Sequence, residues 1–290
     1  MLEFRVKGEM WFAYPLGMRF PRAFSRIYPL RGGGKVSKIL YILNKLQIDR
    51  VLFKRGKSGN NRCYPDLNDV AFFWPTASRS TSRFYGYKVC NGEISAYLKF
   101  GNSREEASVL KREFMNTQRG CEIKDRTFEV PAPIAFHDMA SQDCAIAEYR
   151  PLPSESKNVP LTKDWLDKVA KAREEIAADN LSHGDFMWHN LRAANGKIWI
   201  LDWEELASIS EKRPSMTDEI SFWTALDHFQ LGHSIDDVYT EFKRRYADQE
   251  MRRSAFVALE SMASRKIAMG ECLLNKILGE RDFCQGEHKR

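Results

Sequence analysis

No run of residues in this 290-residue chain is apolar enough to cross a bilayer. The longest uninterrupted apolar stretch, Ile39 to Leu43, falls far short of the ~20 residues a membrane helix needs. Glu3, Arg5, Lys7 and Glu9 interrupt the first apolar residues, so the N-terminus does not read as a secretory signal. The six cysteines, at 63, 90, 121, 144, 272 and 284, form no C-x-x-C pair. That excludes the common zinc and disulfide frameworks and predicts reduced, mostly buried thiols. The G-x-x-x-x-G-K-[ST] phosphate loop is missing as well, and Gly32-Gly33-Gly34 reads as a flexible turn. What remains is a globular chain, with 43% hydrophobic and 29% charged residues, long enough for one two-lobed domain. A soluble, cytoplasmic protein is expected.

Charge is present but unevenly placed. The net is +6, yet residues 1–70 hold 14 Lys/Arg against 5 Asp/Glu, a net of +9. Residues 201–250 hold 5 against 12, a net of −7. One end suits anionic partners and one stretch could suit cationic ones.

Residues 1–65 read as an irregular basic extension around one short helix. Val36, Ile39, Leu40, Leu43 and Leu46 recur at helical spacing with lysines between them. From residue 70 the pattern turns to strands: Val70 to Trp74, Phe84 to Val89 and Ile94 to Phe100. Asn91-Gly92 between the last two is a strong hairpin signal, and Thr76 to Arg83 forms a Ser/Arg-rich loop before them. A helix opens at Ser103, where Ser103-Arg104-Glu105-Glu106 has capping-box form, and runs to about Gln118. Two more strands follow, at 130–136 and 144–149. Pro151 and Pro153 then mark a lobe boundary. Beyond it the chain is mainly helical, at roughly 162–178, 217–231, 235–248 and 251–279. The expected division is an extension over 1–65, a β-rich lobe over 66–150 and a helical lobe over 151–290.

The stretch that carries chemistry is Leu181-Ser182-His183-Gly184-Asp185-Phe186-Met187-Trp188-His189-Asn190, followed by Ile198-Trp199-Ile200-Leu201-Asp202-Trp203-Glu204. A hairpin turning at Asn195-Gly196 would hold Asp185, Asn190 and Asp202 at one mouth. Phosphoryl transfer from ATP needs such a set. One carboxylate orients the attacking hydroxyl and accepts its proton, while an oxygen donor and a second carboxylate hold Mg2+ on the phosphates. The D-x-x-x-x-N spacing matches the protein-kinase catalytic loop, with the later Asp in the place of the metal-binding one.

His-Gly-Asp-x4-Asn followed by Ile-Leu-Asp-Trp-Glu resembles the aminoglycoside phosphotransferase and choline kinase-like family. The match is specific over about 181–204. The resemblance implies an α+β, two-lobed protein-kinase-like fold, with an antiparallel β-rich N-lobe, a helical C-lobe, and ATP and Mg2+ as cofactors. By motif, it makes Asp185 the catalytic base and Asn190 and Asp202 the metal ligands. His183 braces the loop, and Asp218, at a later helix start, is structural. It makes Lys99, ending the third strand, the cation on the phosphates, and Glu113 its ion-pair partner. Glu106 is a weaker candidate because capping already explains it. Glu148 and Tyr149 would form the hinge whose backbone meets adenine. Two features depart from the pattern: the 76–83 loop has no glycine, and Tyr97 faces the same side of its strand as Lys99.

The leading expectation is therefore an ATP-dependent kinase acting on a hydroxyl of a small molecule or glycan, with a sugar favoured. A choline or aminoglycoside kinase is an alternative, and so is a pseudokinase that binds a nucleotide or partner. The absence of D-F-G and A-P-E disfavours a protein kinase. No nucleic-acid partner is expected, since the basic N-terminus lacks any recognition motif. It could instead rest on an anionic membrane surface, placing the protein at the inner face.

Overall fold

The computed structural model describes residues 2–6, 9–14, 18, 42, 45–46, 54–55, 69–73, 83–139, 143–210, 214–265 and 267–279. It divides into two compact units, Met1–Gln118 with Pro131–Ser156, and Arg119–Val130 with Lys157–Arg290. The first is built on a sheet and the second on helices, in agreement with the expected α+β chain whose β-rich part precedes a helical part.

Eight antiparallel strands form the sheet: β1 (Leu2–Val6), β2 (Glu9–Tyr14), β3 (Lys54–Arg55), β4 (Val70–Phe73), β5 (Arg83–Cys90), β6 (Glu93–Gly101), β7 (Pro133–Met139) and β8 (Cys144–Tyr149). Their order is β3-β1-β2-β4-β5-β6-β8-β7. The expected hairpin is β5-β6, turning at Asn91 and Gly92 with φ of 51° and 78°. Two successive left-handed residues match the right-handed twist of the strands, and Asn and Gly tolerate that conformation best. Phe84 and Phe100 stack at 4.7 Å beneath it, with Val70, Ala96 and Leu98.

Residues 1–65 correct the expectation of an irregular extension, because β1, β2 and β3 extend this same sheet. Of the expected helix over 35–46, residues 42, 45 and 46 are helical and the rest lie outside the described residues, as do the 57–61 and 76–82 loops. Ile42 and Leu46 are exposed.

Helix α1 (Arg104–Glu122) begins where Ser103 Oγ accepts the Glu106 N–H at 3.2 Å. Ala107, Leu110 and Phe114 recur at helical spacing and pack on Ala145, Ala147 and Tyr149 of β8. The helix runs four residues beyond its expected end, and Arg119–Val130 belongs to the other unit before the chain returns at Pro131.

In the helical unit, Ile123, Phe128 and Val130 share one core with α2 (Lys163–Ala178) and with β11 (Leu191–Ala194) and β12 (Lys197–Ile200). β9 (Lys157–Asn158) pairs with β11, and β10 (Leu181–Ser182) with β13 (Ala207–Ser208). A second core joins α3 (Met216–Ala225), α4 (Ile235–Arg245), α5 (Gln249–Ser264) and α6 (Ala268–Gly279). The expected single helix over 251–279 is two, broken after Arg265. A π-helical turn, Leu226–Gln230, follows α3. The described thiols are all free, but Cys90 and Cys272 are exposed, against the expectation of burial.

Candidate active site

Asp185 stands on a loop that owes its shape to side chains from elsewhere. After β10 the chain turns through Gly184, whose φ is 84°. The buried Asp218, in the first turn of α3, accepts the His183 and Gly184 N–H groups at 2.7 Å each. Two charge-assisted bonds to one carboxylate fix that turn. His183, fully buried, bonds through Nε2 to the Leu201 carbonyl at 3.0 Å. Its ring meets Trp203 edge-on at 4.8 Å. The imidazole thus ties the loop to the residue just before Asp202. Arg265, capping α5, donates from Nη1 to the Gly184 carbonyl and from Nε to the Ser261 carbonyl.

Asn190 Nδ2 lies 3.0 Å from both the Asp185 carbonyl and Asp185 Oδ2. The Leu201 N–H donates to the Asn190 carbonyl at 2.9 Å, joining both ends of the hairpin, whose Asn195 and Gly196 turn has φ of 51° and 72°. Asp202 follows β12 with φ 61° and ψ 62°, a left-handed conformation uncommon outside Gly, Asn and Asp. Burial chiefly, and then the Asp202 carboxylate, push the Asp185 carboxyl above its usual range, while His189, Asn190 and Arg265 pull it down.

The three polar residues named from the motif are therefore together, and His183 and Asp218 brace them. Hard oxygen donors and two carboxylates, one of which raises the proton affinity of the other, suit a divalent cation. The Asn190 amide spends its N–H on Asp185, which leaves its oxygen as the ligand atom. Trp188 packs into the loop near Phe222, at 6.0 Å, whereas His189 is exposed.

The sheet unit carries the other candidates. Lys99 Nζ and Glu113 Oε1 form an ion pair in which both residues are buried. Glu106 is engaged with Arg83 at 2.8 Å, so it does not compete for Lys99. Tyr97 lies on the Lys99 side of β6, stacked with Tyr85 at 5.9 Å and near Tyr87 at 5.5 Å. Burial raises its phenol well above the ordinary value. Three tyrosines thus pave the strand face beside Lys99.

The expected hinge residues close the strand foreseen over 144–149. Glu148 and Tyr149 still lie inside β8, opposite Leu98 and Tyr97 of β6 on one side and Ala135 and Pro133 of β7 on the other. The Glu148 side chain meets His137 Nε2 at 3.1 Å, and Tyr149 is buried against Phe114. The β7-β8 ladder continues through this point because Pro133 begins β7 and the Arg150 N–H donates to the Ala132 carbonyl. Arg265 and Arg83 were missed by sequence reasoning. No spacing links either to its partner, since both contacts arise from tertiary packing.

No family model and no curated protein matches the chain. Among solved structures it is similar to a thermostable mutant of aminoglycoside phosphotransferase APH(4)-Ia in ternary complex with AMP-PNP and hygromycin B. The TM-score is 0.48 at 11% identity, over 72% of this chain and 93% of that one. The corresponding complex with ADP gives a TM-score of 0.47 at 12% identity, over 70% and 92%. WbdD gives 0.43 at 12% identity, and the chain spans about half of it, 51%, with 72% of its own length. Another structure of WbdD, a bifunctional kinase-methyltransferase, gives a TM-score of 0.35 at 13% identity. These are likenesses of fold, and the chemistry rests on the residues themselves.

Proposed function

We propose that the chain is an ATP-dependent phosphotransferase that moves the γ-phosphate to a hydroxyl of a small molecule or glycan. The observation that carries this is the Asp185 carboxylate held by Asn190, on a loop clamped by Asp218 and tied through His183 to the strand before Asp202. Asp185 would orient the acceptor hydroxyl and take its proton. Its raised proton affinity makes it a better base than an ordinary carboxylate. Asn190 and Asp202 would hold Mg2+, which neutralises phosphate charge when bound. Lys99, kept extended by Glu113, would grip phosphate oxygens, and the tyrosines beside it offer a stacking surface for the base.

The acceptor favoured is an uncharged sugar hydroxyl rather than choline or an aminoglycoside. The acidic excess over 201–250 supports this because most of it is already committed. Asp218 binds backbone, and Glu219 meets Arg173. Asp237 completes a capping box with Ser234, Asp236 meets Lys276, and Asp248 caps α5. Glu241 is held by Arg244 and Arg245. Few carboxylates remain for a polycation.

Asp185→Asn tests the assignment. It keeps nucleotide binding and lowers transfer by about 10²–10⁴-fold, measured as ATP consumption over sugars, amino alcohols, aminoglycosides and lipid-linked glycans. Activity within tenfold of the parent overturns it. Asp202→Ala should abolish Mg2+-dependent nucleotide binding by calorimetry and Asn190→Ala weaken it, because a carboxylate contributes more to a hard cation than an amide.

An anionic membrane surface as partner of residues 1–65, with a peripheral location, remains part of this proposal. Lys45 is exposed, while Lys35 and Lys38 lie outside the described residues. Among the described residues no helix is long and apolar enough to cross a membrane. Since 1–65 supplies three strands, removing it would damage the sheet. Replacing Lys35, Lys38 and Lys45 with Glu is the better test. Unchanged co-sedimentation with anionic liposomes would dispose of the idea.

A further inference from the structure

Three hydroxyls buried behind the 183–184 turn have no hydrogen-bond partner among the described residues: Ser182 Oγ, Thr217 Oγ1 and Ser221 Oγ. Ser182 ends β10, while Thr217 and Ser221 stand on α3, and each of the three residues is 0% exposed. A hydroxyl taken out of water and left without a partner is destabilising, and native interiors keep few such groups. Packing alone needs only a small side chain at Ser182 and Ser221, which alanine would supply without that cost.

The same two elements enclose all three. Asp218 accepts the His183 and Gly184 N–H groups, which holds the first turn of α3 against the end of β10. Ser182 directly precedes His183. Alternation along β10 turns its side chain away from that of Leu181, which packs in the first core. Thr217 directly precedes Asp218, and Ser221 follows Asp218 by three residues and Thr217 by four. At that spacing Thr217, Asp218 and Ser221 share one side of the helix.

Thr224 shows how a buried hydroxyl is satisfied on this helix. It is as fully enclosed as the others and donates to the Ile220 carbonyl, four residues back, at 2.6 Å. Ser221 makes no such bond to the carbonyl of Thr217. Its hydroxyl is left for a partner off the helix.

The chemistry of the three groups selects that partner. Each hydroxyl is neutral and can both donate and accept. Asp218 spends both carboxylate oxygens on backbone N–H groups, so a cation would find no uncommitted charge there. An enclosed, uncharged site of three hydroxyls matches a water molecule, which makes about three hydrogen bonds when buried. We propose that one ordered water is bound between β10 and α3 by Ser182, Thr217 and Ser221, a second link beside the Asp218 clamp. The site belongs to the helical unit and does not depend on the phosphotransferase reading.

The test is oxygen-17 relaxation dispersion of the solvent around the full chain, which counts waters held for longer than the protein takes to tumble. The Ser182→Ala/Thr217→Val/Ser221→Ala variant should lower that count by about one per chain. Thr224→Val, whose hydroxyl is already bonded within the helix, should leave it unchanged. Thermal melts read the same site by sign. Thr217→Val keeps the shape of the side chain, so losing a bond to water should lower its Tm by ~2 °C or more. Removing a hydroxyl that had no partner would raise it instead. Should the triple variant fail to fold, the sign of that Tm change decides alone. An unchanged count in the folded triple variant, a raised Tm in Thr217→Val, or an equal loss of water in Thr224→Val overturns the proposal.

Discussion

The Asp185 loop and the Lys99 strand hold charged groups by opposite means. Lys99 sits on β6, laddered on both sides by β5 and β8, so its backbone position survives the loss of any one side chain. Asp185 has no ladder. Its place comes from His183 and Asn190 on its own loop and from Asp218 and Arg265, which reach in from α3 and the end of α5. The sheet supplies a rigid point of attachment, and the loop supplies a carboxylate whose environment can be tuned one contact at a time. Substitutions around Lys99 should therefore act through charge, and those around Asp185 through shape.

The largest expected effect breaks the strand side. Lys99→Met leaves Glu113 buried without its cation and should destabilise the protein by ~3–5 kcal/mol in urea titration. The Lys99→Met/Glu113→Leu pair should recover most of that, and a double mutant as unstable as the single would show that the ion pair is not what matters there. Next is the loop. Asp218→Ala strips two buried N–H groups of their acceptor and should cost ~2–4 kcal/mol. It should also lower phosphoryl transfer in the folded protein, which Lys99→Met would do through the ATP KM. Smaller again is Gly120→Ala. Its Cβ would come within 2.9 Å of the Trp203 ring, which packs on the His183 imidazole, so overpacking of ~1–3 kcal/mol is expected in thermal melts.

The smallest effect has the opposite sign. Asp185 holds its proton more firmly in the folded chain than in the unfolded one, so its ionised form opposes folding near neutral pH. Asp185→Asn keeps an acceptor for the Asn190 amide and removes that charge. It should melt slightly higher than the parent at neutral pH, by ~1 kcal/mol or less. The advantage should vanish as pH falls towards the unfolded carboxylate range, about 4. A variant less stable at every pH would mean that the carboxylate contributes more through bonding than burial takes away.

What could be read beforehand follows the reach of the interactions. The Asn91-Gly92 and Asn195-Gly196 turns, the Ser103 cap and the Asp185/Asn190/Asp202 spacing are local, and the structure places each as the residues suggested. β1 alternates Leu2, Phe4 and Val6 with Glu3 and Arg5, a strand pattern that the surrounding basic charge obscured. The break after Arg265 carries no proline at the turn, and the helical periodicity of 251–279 runs through it. Arg265 and Asp218 take their roles from carbonyls and N–H groups of the 183–184 backbone, which no side-chain pattern advertises. Residues 119–130 fall inside the expected sheet lobe of 66–150, yet Ile123, Phe128 and Val130 pack into the other core.

That crossing sets an order of events on the ribosome. Ile123, Phe128 and Val130 leave the exit tunnel before β7 and β8, but the strands and helix that cover them lie beyond residue 157. Residues 157–206 take roughly 3–10 seconds to make at ~5–20 residues per second. For that interval the nascent chain can hold the strands of the sheet unit while Ile123, Phe128 and Val130 wait uncovered among charged neighbours, a natural station for a holdase chaperone.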